Sequence, residues 1–205
     1  MAVPKPRVLL SPAIRKDQLL EAAVWVFARK GYRGASIGHI IERAGVARGT
    51  FYLYFDGKEQ IFLAIVEAFH DRITAALAAA DGLADIGTDA RALLVSDSAQ
   101  WLNLLAAHRD ATRVVLREAA AIDPRFDRGF AQLRRSAVAV LARRARHLQD
   151  LGLLRTTIVP ETLAHMQLGM LDQVLHAFVL DDPTPDIPAL ADQLVDVLWN
   201  GIRPE

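Results

Sequence analysis

Residues 44–62 read AGVARGTFYLYFDGKEQIF and gather the side chains best suited to holding a polyanion. Arg48 carries a planar guanidinium that can make paired hydrogen bonds to a guanine edge. Thr50, Tyr52 and Tyr54 carry hydroxyls that reach phosphate oxygens, and Gly49 lets a backbone approach closely. Lys58 begins a new helix, so its ammonium and that helix's free N–H groups are expected to share one phosphate. Phe51 and Phe55 lie four residues apart and face one way, which makes them the expected anchor of this segment against the first helix. The competing reading makes the tyrosines half-buried core residues and Lys58 a solvated helix start.

Such chemistry needs a frame that presents it outward. The whole chain follows a 3.6-residue apolar period with little alternation, which predicts an all-α fold of about nine helices. Ser11 caps and Pro12 opens a first helix that Gly31 stops; Ser36 caps a short second helix, GHIIER, with Ile37, Ile40 and Ile41 inward. Ala44-Gly45-Val46 then makes a tight break before a third helix at about 47–54. Two short helices broken in this way have the spacing of a helix-turn-helix, whose second helix lies in a DNA major groove. Arg48, Gly49, Thr50, Tyr52, Tyr54 and Lys58 form the expected DNA-facing set, with Ser36 at the start of the preceding helix.

Charge points to the same end of the chain. The formal net charge is zero, yet residues 1–60 hold ten Lys and Arg against five Asp and Glu, while the rest hold 14 against 19. All four lysines and all three tyrosines fall in that first part. A basic segment joined to an acidic one implies an anionic partner at the N-terminal end. No Cys occurs, which excludes disulfides and thiolate metal sites and suits a reducing, cytoplasmic setting. Nothing resembles a signal peptide or a membrane span.

LLEAAVWVFARKGY, ASIGHIIERAGV, ARGTFYLYF and the following Lys58-Glu59 together closely resemble the TetR family of bacterial transcriptional regulators. The resemblance implies a three-helix DNA-binding domain, a fourth connecting helix, and a helical C-terminal domain that binds a small ligand and forms a homodimer. By position, Thr50, Tyr52 and Lys58 correspond to phosphate contacts, and Arg48, Gly49 and Leu53 to groove-facing residues. Repression of a DNA operator, relieved by a small apolar or amphipathic effector, is the implied mode. Two residues depart from the pattern: Ala47 replaces a capping Ser or Thr, and Gly38 replaces a longer polar side chain on the second helix. The expected organisation is a basic arm at 1–10, the DNA-binding domain at 11–57, a connecting helix at 58–81 that couples the two domains, and a ligand-binding and dimerisation domain at 82–205.

Past residue 82 the resemblance is architectural, strongest in REAAAIDPRFDRGF at residues 117–130. Helices are predicted at about 88–107, 110–121, 125–150, 160–180 and 188–201. No nucleophile elbow, phosphate loop or HExxH motif occurs, so binding is expected in place of catalysis, with no cofactor and no metal. Trp101, Leu105, His108, Leu116, Phe126 and Phe130 are the candidate ligand-pocket residues, with plain core as the alternative. Arg113 or Arg117 would meet an acidic ligand, unless both belong to a solvated face.

The 160–180 helix is apolar nearly all round, with Met166, Met170, Val174 and Phe178 on one side and Leu168, Leu171, Leu175 and Val179 on another. Its narrow polar seam holds His165, Asp172 and His176. The histidines are about 16 Å apart along the axis, too far to share a metal in one chain, so the seam belongs to a dimer interface or a pocket. Leu190, Leu194 and Leu198 form a stripe on the last helix, beside Val197 and Trp199. Together with the 160–180 helix this stripe builds half of a four-helix dimer bundle, or else packs within the chain. Two rival functions stay open: a constitutive DNA-binding protein with a filled core, and an all-α enzyme carrying a DNA-binding domain.

Overall fold

The computed structural model describes residues 11–80, 89–122 and 124–202, the side chains at 80, 118–122, 124–127, 129 and 202 excepted. The arm at 1–10, the boundary near 81–82 and the Phe126 side chain lie outside the described residues. The chain is all-α. Its helices are α1 (Pro12–Gly34), α2 (Ile37–Ala44), α3 (Arg48–Tyr52), α4 (Lys58–Ala80), α5 (Ala90–Ala107), α6 (Arg109–Ile122), α7 (Pro124–Asp150), α8 (Pro160–Val174) and α9 (Ile187–Ile202). A π-helical turn, Leu175–Val179, continues α8. Among the described residues there is no strand, and no helix is long and apolar enough to cross a membrane.

Two compact units divide the chain, Met1–Ala68 and Phe69–Glu205, and the division falls inside α4. In the first unit Ser11 caps α1 by accepting from the Ile14 N–H, and Pro12 takes the first helical position. Gly31 breaks α1 at φ 66 and ψ 165, a conformation open only to glycine, and one further turn follows to Gly34. Phe27, Phe51, Ile61 and Phe62 are fully buried. Phe62 meets the Phe27 and Tyr32 rings edge-on at centroid distances of 5.6 and 5.0 Å, pairs worth about 0.5–1.5 kcal/mol each beyond the area they bury.

In the second unit α7 packs on α8 and α5 on α9. Leu148, Leu154, Leu163 and Leu198 share one apolar cluster with Ala90 and Ala145. The turn after α7 is held by Gln149, whose amide donates to the carbonyls of Arg155 and Ile158 at 2.8 Å each. Arg91 ties α5 to α9 through Asp192 at 2.9 Å and Asp196 at 3.6 Å.

Four expectations change or narrow here. The third helix is five residues long, although the hydrogen bonds of Tyr54 and Phe55 to the Phe51 carbonyl carry the turn onward. The 160–180 helix ends as α-helix at Val174, and the Leu180 N–H reaches back five residues to the Leu175 carbonyl. Of the two alternatives for the last helix, Leu194 and Leu198 take packing within the chain; among its described side chains Val197 is the exposed large apolar one. Arg113 is not free for an acidic ligand, because it pairs with Asp110 and Asp181 and donates to the Leu180 carbonyl, while Arg117 lies 3.9 Å from Asp181.

Candidate nucleic-acid interface and ligand cavity

The break between α2 and α3 turns on Gly45, whose φ of 64 is left-handed. Its N–H donates to the Glu42 carbonyl and that of Val46 to the Ile41 carbonyl, which closes α2 in two bonds. Gln18 of α1 donates to the Ala44 carbonyl at 2.7 Å, and Arg43 of α2 lies over the Trp25 ring at 4.5 Å. These contacts fix α2 against α1 and so set the direction in which α3 leaves.

On α3 the division between anchor and display is sharp. Phe51 is 0% exposed and Phe55 2%, whereas Leu53 is 80% and Tyr52 43% exposed. Arg48 and Gly49 are exposed; Thr50 and Tyr54 are half-buried. A Cβ added at Gly49 would meet nothing within 4 Å, so no packing inside the chain demands glycine there. Arg48 lies 5.9 Å from the Tyr52 ring centroid, which keeps both at the same end of the display. Ala47 makes no side-chain cap, leaving the first N–H groups of α3 to other partners.

Ser36 is the N-cap of α2, where its hydroxyl accepts from the His39 N–H while its own N–H donates to His39 Nδ1. The hydroxyl proton remains for an outside acceptor. Lys58 has a role that sequence reasoning missed. Its ammonium donates to the carbonyls of Tyr32 at 2.8 Å and Ala35 at 3.0 Å and lies 4.4 Å from the Tyr32 ring centroid. It therefore staples the start of α4 to the C-terminal end of α1, where carbonyls lack helical partners. An ammonium has three N–H donors, so one is left for a phosphate. The Tyr32 hydroxyl is pushed above its ordinary pKa by burial and by the charge of Glu59.

In the second unit Trp101, Leu105, Leu116 and Phe130 line one cavity of about 280 Å³, with Phe69 and Ile73 of α4 in the same wall. His108 is not among its lining residues; burial and the charge of Arg72 lower its pKa. A larger cavity of about 670 Å³ shares Trp101, Ala137 and Leu168 with the first. It also holds polar groups that sequence reasoning missed, Asp97, Ser98, Arg144 and Gln167. The polar seam of α8 splits. Asp172 lines the smaller cavity, His165 lines a groove with Arg143 and Arg146 of α7, and His176 Nδ1 lies 2.8 Å from the Asp172 carbonyl.

Residues 19–65 match the sequence model of the bacterial regulatory proteins of the tetR family. The chain is 28% identical over 193 residues to the uncharacterized HTH-type transcriptional regulator YdgC of Bacillus subtilis, covering 93% of each. It is 27% identical over 191 residues to the HTH-type transcriptional repressor Rv1474c of Mycobacterium tuberculosis, covering 93% of this chain and 94% of that one. Its fold is similar to that of SmeT in its complex with triclosan, with a TM-score of 0.72 at 24% identity over 94% of this chain and 93% of that one. The helix-turn-helix displayed on a buried phenylalanine anchor falls inside the matched segment, so residues 19–65 form a DNA-binding segment of the TetR-family type.

Proposed function

We propose that the chain is a homodimeric repressor that holds its operator through α3 and the residues around it, and releases it when a small apolar or amphipathic molecule enters the second unit. Carrying this reading is one juxtaposition: a face of exposed hydrogen-bonding side chains on α3 occurs in the same chain as two adjoining cavities. Arg48 reads a base edge, Leu53 and Gly49 face the groove, and Ser36, Thr50, Tyr52, Tyr54 and Lys58 hold phosphates. The name of Rv1474c as a repressor and the triclosan bound by SmeT agree with the two halves of the proposal.

Coupling runs along α4. Lys58 ties its first turn to α1, and Phe69 and Ile73 farther along wall the smaller cavity. A ligand shifts the protein only by binding one conformation better than the other, so the effector favours a spacing of the two recognition helices that misfits the groove. The test starts from a compound that raises the melting temperature. Operator affinity measured with and without it should fall several-fold, and DNA should weaken the compound's binding by the same factor. A compound that stabilises the protein and leaves operator affinity unchanged would favour the constitutive rival.

The partner surface is the outward side of α8. Met166 and Phe178 are 46% and 56% exposed and Val197 of α9 is 69% exposed, whereas Met170 packs against the apolar cluster within the chain. Phe178→Glu should turn a dimer into a monomer in sedimentation at micromolar concentration and abolish tight operator binding, because a charge replaces an aromatic anchor. Dimers that persist in that variant would move the interface elsewhere.

A further inference from the structure

The larger cavity has a polar floor that the rest of its wall does not explain. Asp97 and Ser98 come from α5, Arg144 from α7 and Gln167 from α8, among Leu77, Leu104, Val140, Leu141 and Leu171. The ion pair between Arg144 Nη1 and Asp97 Oδ2 is largely buried, with side-chain exposures of 13% and 22%. Gln167 is 7% exposed, and Ser98 is fully buried with a hydroxyl that has no hydrogen-bond partner. A buried ion pair adds little to stability compared with apolar residues of the same volume, and an orphaned hydroxyl costs free energy. In pockets, a few such groups in an apolar wall orient a ligand.

We infer that this floor receives the uncharged, hydrogen-bonding head of an amphipathic ligand, a hydroxyl or primary amide, whose apolar body extends past Trp101 into the smaller cavity. The inference rests on the proposed ligand response. Its physical basis is the neutrality of the floor. A carboxylate head drawn to Arg144 meets the carboxylate of Asp97 beside it, and an ammonium drawn to Asp97 meets the guanidinium. Either charged head also surrenders its hydration in a mostly apolar space. A hydroxyl or amide meets neither penalty: it donates to Asp97 or the Gln167 carbonyl oxygen and accepts from Arg144, the Gln167 amide or Ser98. The body's path is mostly apolar and aromatic, through Trp101, Phe69, Ile73, Leu105 and Phe130, with Arg134 and Asp172 also in that wall.

The experiment compares four probes of one chain length, 1-decanol, decanamide, decanoate and decylamine, titrated calorimetrically into the full chain. The two uncharged probes are expected to bind at least ten-fold more tightly than either charged one. Gln167→Leu should weaken decanamide at least five-fold. Asp97→Asn, which leaves Arg144 uncompensated, should shift the preference toward decanoate by ten-fold or more. Should that variant fail to fold, the ranking on the unaltered chain decides alone. Decanoate or decylamine binding as tightly as decanol would overturn the head-group inference and leave ligand binding intact. Decanamide binding unchanged by Gln167→Leu would overturn the assignment to this floor. If none of the four binds, the inference falls together with the proposed ligand response.

Discussion

Phe51→Ala is expected to destabilise the first unit by about 3–5 kcal/mol, the range for removing a fully buried phenylalanine ring and leaving a cavity. The ring is 0% exposed and lies 5.9 Å from that of Phe55, so its loss strips the support from beneath α3. Helix α3 is five residues long and has no side-chain cap, so it cannot persist on local propensity. DNA binding should therefore fail along with folding of the first unit. Amide hydrogen exchange is the suitable measurement, because it reports the two units separately: protection should collapse in α1–α3 and persist in α5–α9. Retained protection around residues 48–55 would reverse the assignment of buried and displayed faces.

Lys58→Met should carry the second large effect, and it acts on two quantities. The substitution keeps an apolar stem but removes two charge-assisted hydrogen bonds to the Tyr32 and Ala35 carbonyls. For a half-buried donor this costs about 1.5–3 kcal/mol in all. The remaining N–H is assigned to a phosphate, so the slope of log affinity against log salt should also fall by about one per protomer. The two readouts separate the roles: unchanged melting would remove the staple, and an unchanged salt slope would remove the phosphate contact.

What could be read in the chain before its structure was local. Helical periodicity, the caps at Ser11 and Ser36 and the turn at Gly45 depend on residues within four or five positions, and each is found where expected. The inward and outward sides of α3 were legible because Phe51 and Phe55 share a face. Long-range partners were not legible. Nothing near Lys58 announces carbonyls 26 and 23 residues away, and nothing near Arg113 announces Leu180 and Asp181. The polar floor of the larger cavity draws on three helices, so no short motif contains it. The stripe of Leu194 and Leu198 showed that α9 buries a face but not which neighbour covers it, and that neighbour lies within the chain.

The central claim is that α3 reads DNA in two-fold related pairs. Its most direct test is selection of bound duplexes from randomised DNA by the full chain and by Arg48→Ala. A dimer presenting two recognition helices should enrich a site with two-fold related half-sites, with centres about one duplex turn or more apart. Arg48→Ala should then lose about 1–3 kcal/mol per half-site and relax the preference at one position in each half, at symmetry-related places. No enriched sequence from the unaltered chain, or an identical preference at every position in the variant, would contradict the account: the first denies specific DNA reading, the second denies it to Arg48.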